Sequence, residues 1–203
     1  MNKKIVIFDF DGVIVNTFKI YTGISRELNP DMKLTDKQLR AFFEKSVLDS
    51  PIFKYNNQNL FFKKYGPKLL RLRPVRGMKQ NIKTLVKDYT LVIISSSDSS
   101  LIKKFLKKHN LLGQFNSILG ADVEKSKIIK IKNIVKKYQV KPKDRLFITD
   151  TLGDILEARK AKVESIGVTW GYHTKTTINK SHPYKIITKP SQLLKNVKQY
   201  FQT

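Results

Sequence analysis

The chain has 203 residues, 40% of them hydrophobic, which is enough to bury the core of one domain, or of a core domain with a modest insertion. No apolar run approaches the roughly 20 residues of a membrane span, and the absence of cysteine excludes disulfides, thiol nucleophiles and thiolate metal sites. The net charge of +24 is spread along the chain, and it indicates either solvated lysines on helix exteriors or attraction to nucleic acid or another polyanion.

The first predicted element is a strand, Ile5 to Phe8, that ends in Asp9-Phe10-Asp11-Gly12. The apolar run is too short for a signal peptide, so we expect a cytoplasmic protein with no membrane partner.

An apolar run of this kind is typical of a strand buried on both faces of a parallel sheet. Ligands of such sheets bind at the carboxyl ends of the strands, where Asp9 and Asp11 lie. Two carboxylates on the same side of an extended chain require a cation or a shared proton between them.

The next segment, residues 16–74, shows helical periodicity interrupted only by proline, glycine and asparagine. No strand pattern occurs in it. We therefore predict a small α-helical cap domain, 16–74, inserted after the first strand of a core domain formed by residues 1–15 and 75–203.

Strand and helix patterns alternate after residue 75. We predict strands at 90–94, 117–119, 145–149, 165–169 and 185–187, and helices at 78–86, 99–109, 125–138 and 153–161 with a last one after Pro190. Strands separated by helices indicate an α/β fold with a Rossmann-like, doubly wound, mainly parallel sheet.

Polar residues come directly after several of these apolar strands. Ser95 and Ser96 come after the second strand, Asp150 comes after a later one, and Lys125 and Lys127 lie near the start of the helix between them. The carboxyl ends of parallel strands share one edge of the sheet, so residues far apart in sequence meet there. Carboxylates, hydroxyls and lysines together can hold a divalent, oxygen-seeking cation and a phosphate group.

With these residues in order, the chain resembles the haloacid dehalogenase-like hydrolase superfamily, close to its small phosphatases of the phosphoglycolate phosphatase type. Four motifs carry the resemblance: Asp9-Phe10-Asp11-Gly12-Val13-Ile14 and then Thr17, Ser95 after an apolar strand, a lysine that opens a helix, and the run TDTLGDILEARKA at 149–161. The segment GVTWGYHT at 167–174 also resembles the stretch that often comes after the fourth motif in these phosphatases.

The resemblance implies a role for each acid. Asp9 would be the nucleophile that forms an aspartyl phosphate, and Asp11 would be the general acid and base. Mg²⁺ would be bound by the Asp9 carboxylate, the Asp11 carbonyl and the Asp150 carboxylate, and Asp154 would bind it through water or support its ligands.

The resemblance also implies which residues hold the phosphoryl group. Ser95 and the neighbouring backbone N–H groups, including that of Ser96, would bind its oxygens, and one lysine would neutralise its charge. We expect that lysine to be Lys125, which lies 25 positions before Asp150 and directly before the helix, with Lys127 as the alternative. Thr149 stands where relatives usually have a glycine, and it would add a side chain beside the metal.

The leading interpretation is therefore a Mg²⁺-dependent phosphatase for a small phosphorylated metabolite. A phosphomutase of the same superfamily is the first alternative. A nucleotide- or nucleic-acid-directed phosphatase, or a polyanion-binding protein on this scaffold, is the second. The charge motivates the second alternative, but the chain shows no recognised nucleic-acid motif, so nucleic acid is not favoured. The substrate would be selected by the cap, and the sequence does not indicate an oligomeric state.

Overall fold

The computed structural model describes residues 4–46 and 58–202. Six strands form one sheet: β1 (Ile5–Phe8), β2 (Thr90–Ile94), β3 (Ser117–Leu119), β4 (Arg145–Thr149), β5 (Glu164–Val168) and β6 (Lys185–Ile187). Their order across the sheet is β3-β2-β1-β4-β5-β6, and every neighbouring pair is parallel. This confirms the predicted α/β fold with a mainly parallel sheet, and β5 begins and ends one residue earlier than the sequence pattern suggested.

The first strand lies in the middle of the sheet, between β2 and β4. All four of its residues are fully buried. Val6 and Phe8 pack into the hydrophobic cluster on one face of the sheet, and Ile5 and Ile7 pack into the cluster on the other face. A continuous apolar run suits this position because both faces of a central parallel strand are covered.

Nine helices are described in these residues. They are α1 (Phe18–Leu28), α2 (Asp36–Ala41), α3 (Gln58–Leu69), α4 (Met78–Leu85), α5 (Ser99–Lys108), α6 (Lys127–Tyr138), α7 (Leu152–Lys160), α8 (Lys175–Asn179) and α9 (Leu193–Tyr200). Side chains cap several of them at the first turn. Asp98 accepts hydrogen bonds at the start of α5, Ser126 at the start of α6 and Thr151 at the start of α7.

The segment between β1 and β2 contains helices and no strand within its described residues, 16–46 and 58–89. Helices α1 and α3 pack against each other. Ile24, Tyr65 and Leu69 from these helices join the same hydrophobic cluster as Phe10 and Val13 of the sheet edge. The inserted helices therefore pack against the core. Residues 47–57 of the predicted cap lie outside the described residues, and the division into a core and a cap at 16–74 stays a prediction.

A membrane-spanning helix would need about 20 apolar residues in succession. Among the helices described above, none is both long enough and apolar enough to cross a membrane.

Candidate active site

Three of the predicted site residues come after strands that end side by side. Phe8, the last residue of β1, is level with Ile93 of β2 and with Ile148 of β4. The three strands therefore end at nearly the same level of the sheet, within two residues of one another. The polar residues that come next, all buried, are Asp9, Ser95 and Asp150.

Asp9 and Asp154 share one buried lysine. Lys127 Nζ lies 3.0 Å from Asp9 Oδ2 and 2.6 Å from Asp154 Oδ2. Thr149 Oγ1 donates to the same Asp154 oxygen at 2.7 Å, so the threonine that departs from the family pattern holds this carboxylate. Asp9 Oδ1 accepts the backbone N–H of Phe10 at 2.7 Å. Each of the two carboxylates is thus fixed in a single orientation.

Of the two candidate site lysines, Lys127 and not the favoured Lys125 lies beside Asp9 and Asp154. Lys125 is exposed and lies before α6. The Ser126 hydroxyl accepts the N–H of Ile129, so α6 begins at Lys127. A side chain at the first helical position points back towards the N-terminus of its helix. Here that direction leads to the carboxyl ends of the strands, where Asp9 lies. Counting back from Asp150 could not show at which residue the helix begins.

Four hydroxyl groups surround the Asp11 carboxylate. Thr17 Oγ1 donates to Asp11 Oδ1 at 2.8 Å, and the Tyr65 hydroxyl donates to the same oxygen. On the other side, Ser97 Oγ lies 2.7 Å and Ser95 Oγ lies 3.3 Å from Asp11 Oδ2. Asp9 and Asp11, although two residues apart, therefore have separate sets of partners. This separation allows the two acids to have different roles.

Two of these hydroxyl residues were missed by the sequence reasoning. Ser97 was not named, whereas its neighbour Ser96, named for its backbone N–H, is partly exposed and has no side-chain hydrogen bond within the described ranges. The Ser97 N–H donates to Ser95 Oγ at 3.0 Å, a local turn that brings the Ser97 hydroxyl towards Asp11. Tyr65 comes from the inserted helix α3, where an aromatic residue at helical spacing indicates only core packing.

Asp150 is enclosed by two glycine-containing segments. Its Oδ2 accepts the backbone N–H of Tyr172 at 2.6 Å. A Cβ atom at Gly12 would lie 1.9 Å from this oxygen, and one at Gly171 would lie 2.2 Å from it, so both positions require glycine. Asp150 Oδ1 is buried and has no hydrogen-bond partner among the described residues. A buried carboxylate oxygen without a donor is costly unless a cation meets it.

The buried charges at this edge do not balance. Burial raises the pKa of Asp9 well above its usual value and raises the pKa of Asp150 to about 8. Burial alone would also raise the pKa of Asp154, but the charge of Lys127 and its hydrogen bond lower it. Burial would lower the pKa of Lys127, but Asp154 and Asp9 raise it. Three largely buried carboxyl groups, those of Asp9, Asp150 and Asp154, thus lie around the ammonium group of Lys127.

The donor chemistry of the site fits a hard divalent cation. Only oxygen donors and an excess of negative charge are available around Asp150, whose Oδ1 lacks a partner in the described part of the chain. Within residues 4–46 and 58–202, however, no three aspartate, glutamate, histidine or cysteine side chains are gathered as a ready ligand set. Asp9 and Asp154 are bonded to Lys127 instead, and the expected contribution of Asp11 is its backbone carbonyl.

The fold and this strand-edge arrangement define an α/β protein built around an acidic site, and comparison with known proteins identifies its relatives. A family model described as haloacid dehalogenase-like hydrolase matches residues 6–168. The chain therefore belongs to the haloacid dehalogenase-like hydrolase family, as its four motifs indicated.

Individual relatives agree with the family assignment. A phosphoglycolate phosphatase of Vibrio vulnificus is 30% identical over 138 residues, which cover 66% of this chain and 60% of that protein. A phosphoglycolate phosphatase of Aquifex aeolicus is 26% identical over 209 residues, 95% of each chain. Among solved structures, a haloacid dehalogenase-like hydrolase of Streptococcus pneumoniae superposes with a TM-score of 0.78 at 21% identity, covering 96% of this chain and 98% of that one. The match to the Vibrio protein thus spans about 60% of its length.

Proposed function

We propose that this protein is a Mg²⁺-dependent phosphatase that hydrolyses a small phosphate monoester through an aspartyl phosphate on Asp9. The observation that carries the proposal is the separation of the two neighbouring acids. Asp9 is buried and ion-paired to Lys127, whereas Asp11 is surrounded by hydroxyl groups. Burial raises the pKa of Asp9, but the charge of Lys127 acts against that rise and favours the ionised, nucleophilic form. Asp11 has no such ion pair among the described residues, so we assign it the proton transfers.

In the first step, a carboxylate oxygen of Asp9 attacks the phosphorus atom. A new oxygen–phosphorus bond forms as the bond from phosphorus to the leaving oxygen breaks, and Asp11 transfers its proton to that oxygen. The products are an alcohol and an aspartyl phosphate, and Asp11 is left ionised. The hydroxyl groups of Thr17 and Ser97 are placed to donate to this ionised carboxylate.

In the second step, a water molecule attacks the phosphorus atom of the aspartyl phosphate. Asp11 accepts a proton from the water, the bond between phosphorus and Asp9 breaks, and inorganic phosphate leaves. Asp9 returns as a carboxylate and Asp11 returns protonated, so both residues are ready for another substrate. Splitting one displacement into two lets the same acid serve in both halves of the reaction.

The residues that would hold Mg²⁺ are the Asp9 carboxylate, the Asp11 carbonyl and the Asp150 carboxylate, with Asp154 in support. When bound, Mg²⁺ supplies positive charge that polarises the phosphoryl oxygens. Tyr172 orients Asp150 through its N–H, which leaves Oδ1 as the available ligand atom. Ser95, the N–H groups after it and Lys127 are the groups proposed to bind the remaining phosphoryl oxygens.

The substrate class is proposed from the names that the curated relatives carry. Both the Vibrio and the Aquifex proteins are called phosphoglycolate phosphatase, so 2-phosphoglycolate is the first compound to test. The residues that contact the leaving group are expected on the inserted helices, where Tyr65 already reaches Asp11.

The test is phosphate release from para-nitrophenyl phosphate, 2-phosphoglycolate and a panel of sugar phosphates, with Mg²⁺ or with a chelator. Wild type should turn over only with the metal, and Asp9→Asn should lower turnover about 10³-fold or more. Asp31→Asn, a change at an exposed aspartate outside the site, is the control and should match wild type. Absence of metal-dependent turnover above the Asp9→Asn level would refute the proposal. Transfer of phosphate between two sugar positions without its release would instead identify a phosphomutase.

A further inference from the structure

Lys130 is a completely buried lysine that the proposed reaction does not use. It lies on α6, three residues after Lys127, whereas Lys132 and Lys136 of the same helix are exposed. No aspartate or glutamate lies within ion-pair distance of Lys130 among the described residues, and its Nζ instead donates to the carbonyl oxygen of Ser95 at 2.6 Å. The carbonyl oxygen of Gly120 lies 3.4 Å from the same Nζ.

These two carbonyl groups belong to the turns that come after β2 and β3. We call residues Ser95–Ser97 the serine loop. Its first N–H bonds to the carbonyl oxygen of Leu119 at 3.0 Å, and its last carbonyl accepts the N–H of Ala121 at 2.9 Å. At Gly120 a Cβ atom would lie 2.5 Å from the Ser97 carbonyl oxygen, so the two turns are in close contact. Lys130 therefore joins both turns, one of which carries the Ser95 hydroxyl that faces Asp11.

A buried ammonium group that meets only neutral carbonyls is poorly compensated. Burial, together with a smaller repulsion from Lys127, lowers the pKa of Lys130 to about 8. The negative charges of Asp9, Asp154 and Glu157 act in the opposite direction and raise this pKa, but by less than burial lowers it. A methionine would fill the same space without this cost, so the structure includes a charge that packing does not need. The charge lies against the serine loop, whose hydroxyl and N–H groups are the ones proposed to bind a phosphoryl group.

We propose that Lys130 is a positioning residue for phosphate binding, which acts through the serine loop. Its two carbonyl contacts fix the loop so that the Ser95 hydroxyl and the next N–H groups point towards the phosphoryl oxygens. Its positive charge also attracts a dianion across the loop. The inference rests on the proposed function, because the serine loop has this use only if the site binds phosphate.

The first experiment compares Lys130→Met with Lys132→Met, a matched change at an exposed lysine on the same helix. Lys130→Met should raise the KM for para-nitrophenyl phosphate and the inhibition constant of inorganic phosphate by about tenfold each, the effect of losing hydrogen bonds to a charged group. Its kcat should change less than its KM, and Lys132→Met should match wild type. Unchanged KM and phosphate inhibition in a folded Lys130→Met protein would show that Lys130 only supports the fold.

The second experiment uses wild type alone and so does not depend on the folding of a variant. The ¹³Cε resonance of Lys130 is titrated with pH, with and without inorganic phosphate. If the ammonium group strengthens phosphate binding, then bound phosphate must raise the pKa of Lys130 by the reciprocal amount. Binding of phosphate without such a rise would overturn the inference. If wild type turns over substrate but one of these two experiments fails, only the role of Lys130 is refuted and the proposed phosphatase function stands. If wild type shows no metal-dependent turnover, the proposed function itself is refuted.

Discussion

At the residue scale, Lys127 contacts both Asp9 and Asp154 and is the group on which the charge of the site depends. Removing it would leave two buried carboxylates without their common cation. A phosphoryl group that enters the site would lose the same positive charge. Lys125, two residues earlier, is exposed and contributes to neither effect.

We therefore predict that Lys127→Ala lowers kcat/KM about 10²- to 10³-fold, as expected for the loss of a preorganised charge at a reacting group. Lys125→Ala should stay within about twofold of wild type, as is usual for a surface substitution. Both are measured with para-nitrophenyl phosphate, after circular dichroism shows that each protein is folded. The assignment of Lys127 would be wrong if Lys125→Ala were the more damaging change.

The hydroxyl of Tyr65 provides a second test at this scale. Tyr65→Phe keeps the stacking on Phe61, whose ring centroid is 5.8 Å away, but removes one donor to Asp11. Alkyl phosphates need a proton on the leaving oxygen, and para-nitrophenyl phosphate needs it much less. We predict about a tenfold loss of kcat on an alkyl phosphate, the effect of one hydrogen bond to a charged group, and a smaller loss on the aryl ester.

The control for this change is Tyr184→Phe, which alters an exposed tyrosine. Equal losses on the two substrates would mean that Tyr65 does not act through the proton of Asp11.

Much of the residue pattern could be predicted because it is local. Asp9, Ser95 and Asp150 each come directly after an apolar strand, and parallel strands end at a common edge. Ser97 and Tyr65 could not be found in this way. The position of Ser97 depends on a turn, and that of Tyr65 depends on how an inserted helix packs against the core.

At the element scale, His173 connects the beginning of α7 to the end of α2. Its Nδ1 accepts the N–H of Leu152, and its Nε2 lies 2.9 Å from the carbonyl oxygen of Arg40. The N–H of Gly153 also bonds to the carbonyl oxygen of Phe43. The helix that carries Asp154 is thus anchored to the inserted segment, a link that no sequence pattern indicated.

The link should make stability depend on pH. Burial lowers the pKa of His173, so below the usual histidine pKa of about 6.5 the unfolded chain binds a proton that the folded chain does not. The stability that neutral His173 provides is therefore present above that pH and is lost as the pH falls. We predict that the free energy of unfolding drops more between pH 7 and pH 5.5 in wild type than in His173→Gln.

Urea unfolding at the two pH values measures this difference. His182→Asn is the control, because His182 is exposed. A pH dependence that persists unchanged in His173→Gln would show that other groups cause it.

The bounds of the elements also show where sequence reasoning is strong. Strands β2, β3, β4 and β6 have the predicted limits, since each is a short apolar run between polar residues. Helix α6 was expected to begin at 125 but begins at Lys127, because the cap residue Ser126 determines where the helix starts. Lys125 was favoured for its spacing from Asp150, but the side chain beside Asp9 is that of Lys127, the first residue of the helix.

At the scale of the whole molecule, the excess of 40 lysine and arginine residues over 16 aspartate and glutamate residues creates a positive field around the protein. This field would attract a small phosphorylated substrate over about one Debye length, which is roughly 10 Å at 0.1 M salt. The sequence reveals the charge but not which lysines are buried, as Lys127 and Lys130 are.

We predict that the KM for para-nitrophenyl phosphate rises as the salt concentration increases from about 0.05 to about 0.5 M, with little change in kcat, because only capture of the anion is screened. Initial rates at constant Mg²⁺ measure this. A KM that does not respond to salt would show that the charge has no part in substrate capture. Tight, salt-sensitive binding of an oligonucleotide would favour the polyanion alternative.

The central claim is that Asp9 becomes covalently phosphorylated and that Asp11 is needed to release the phosphate. The most direct measurement is mass spectrometry of acid-quenched Asp11→Asn protein after mixing with para-nitrophenyl phosphate and Mg²⁺. The aryl leaving group departs without a proton from Asp11, but water attack still needs a base. We predict one added phosphoryl group, located on Asp9 and absent when Asp9 is asparagine. A phosphoryl group on any other residue, or turnover by wild type with no label trapped in Asp11→Asn, would contradict this claim.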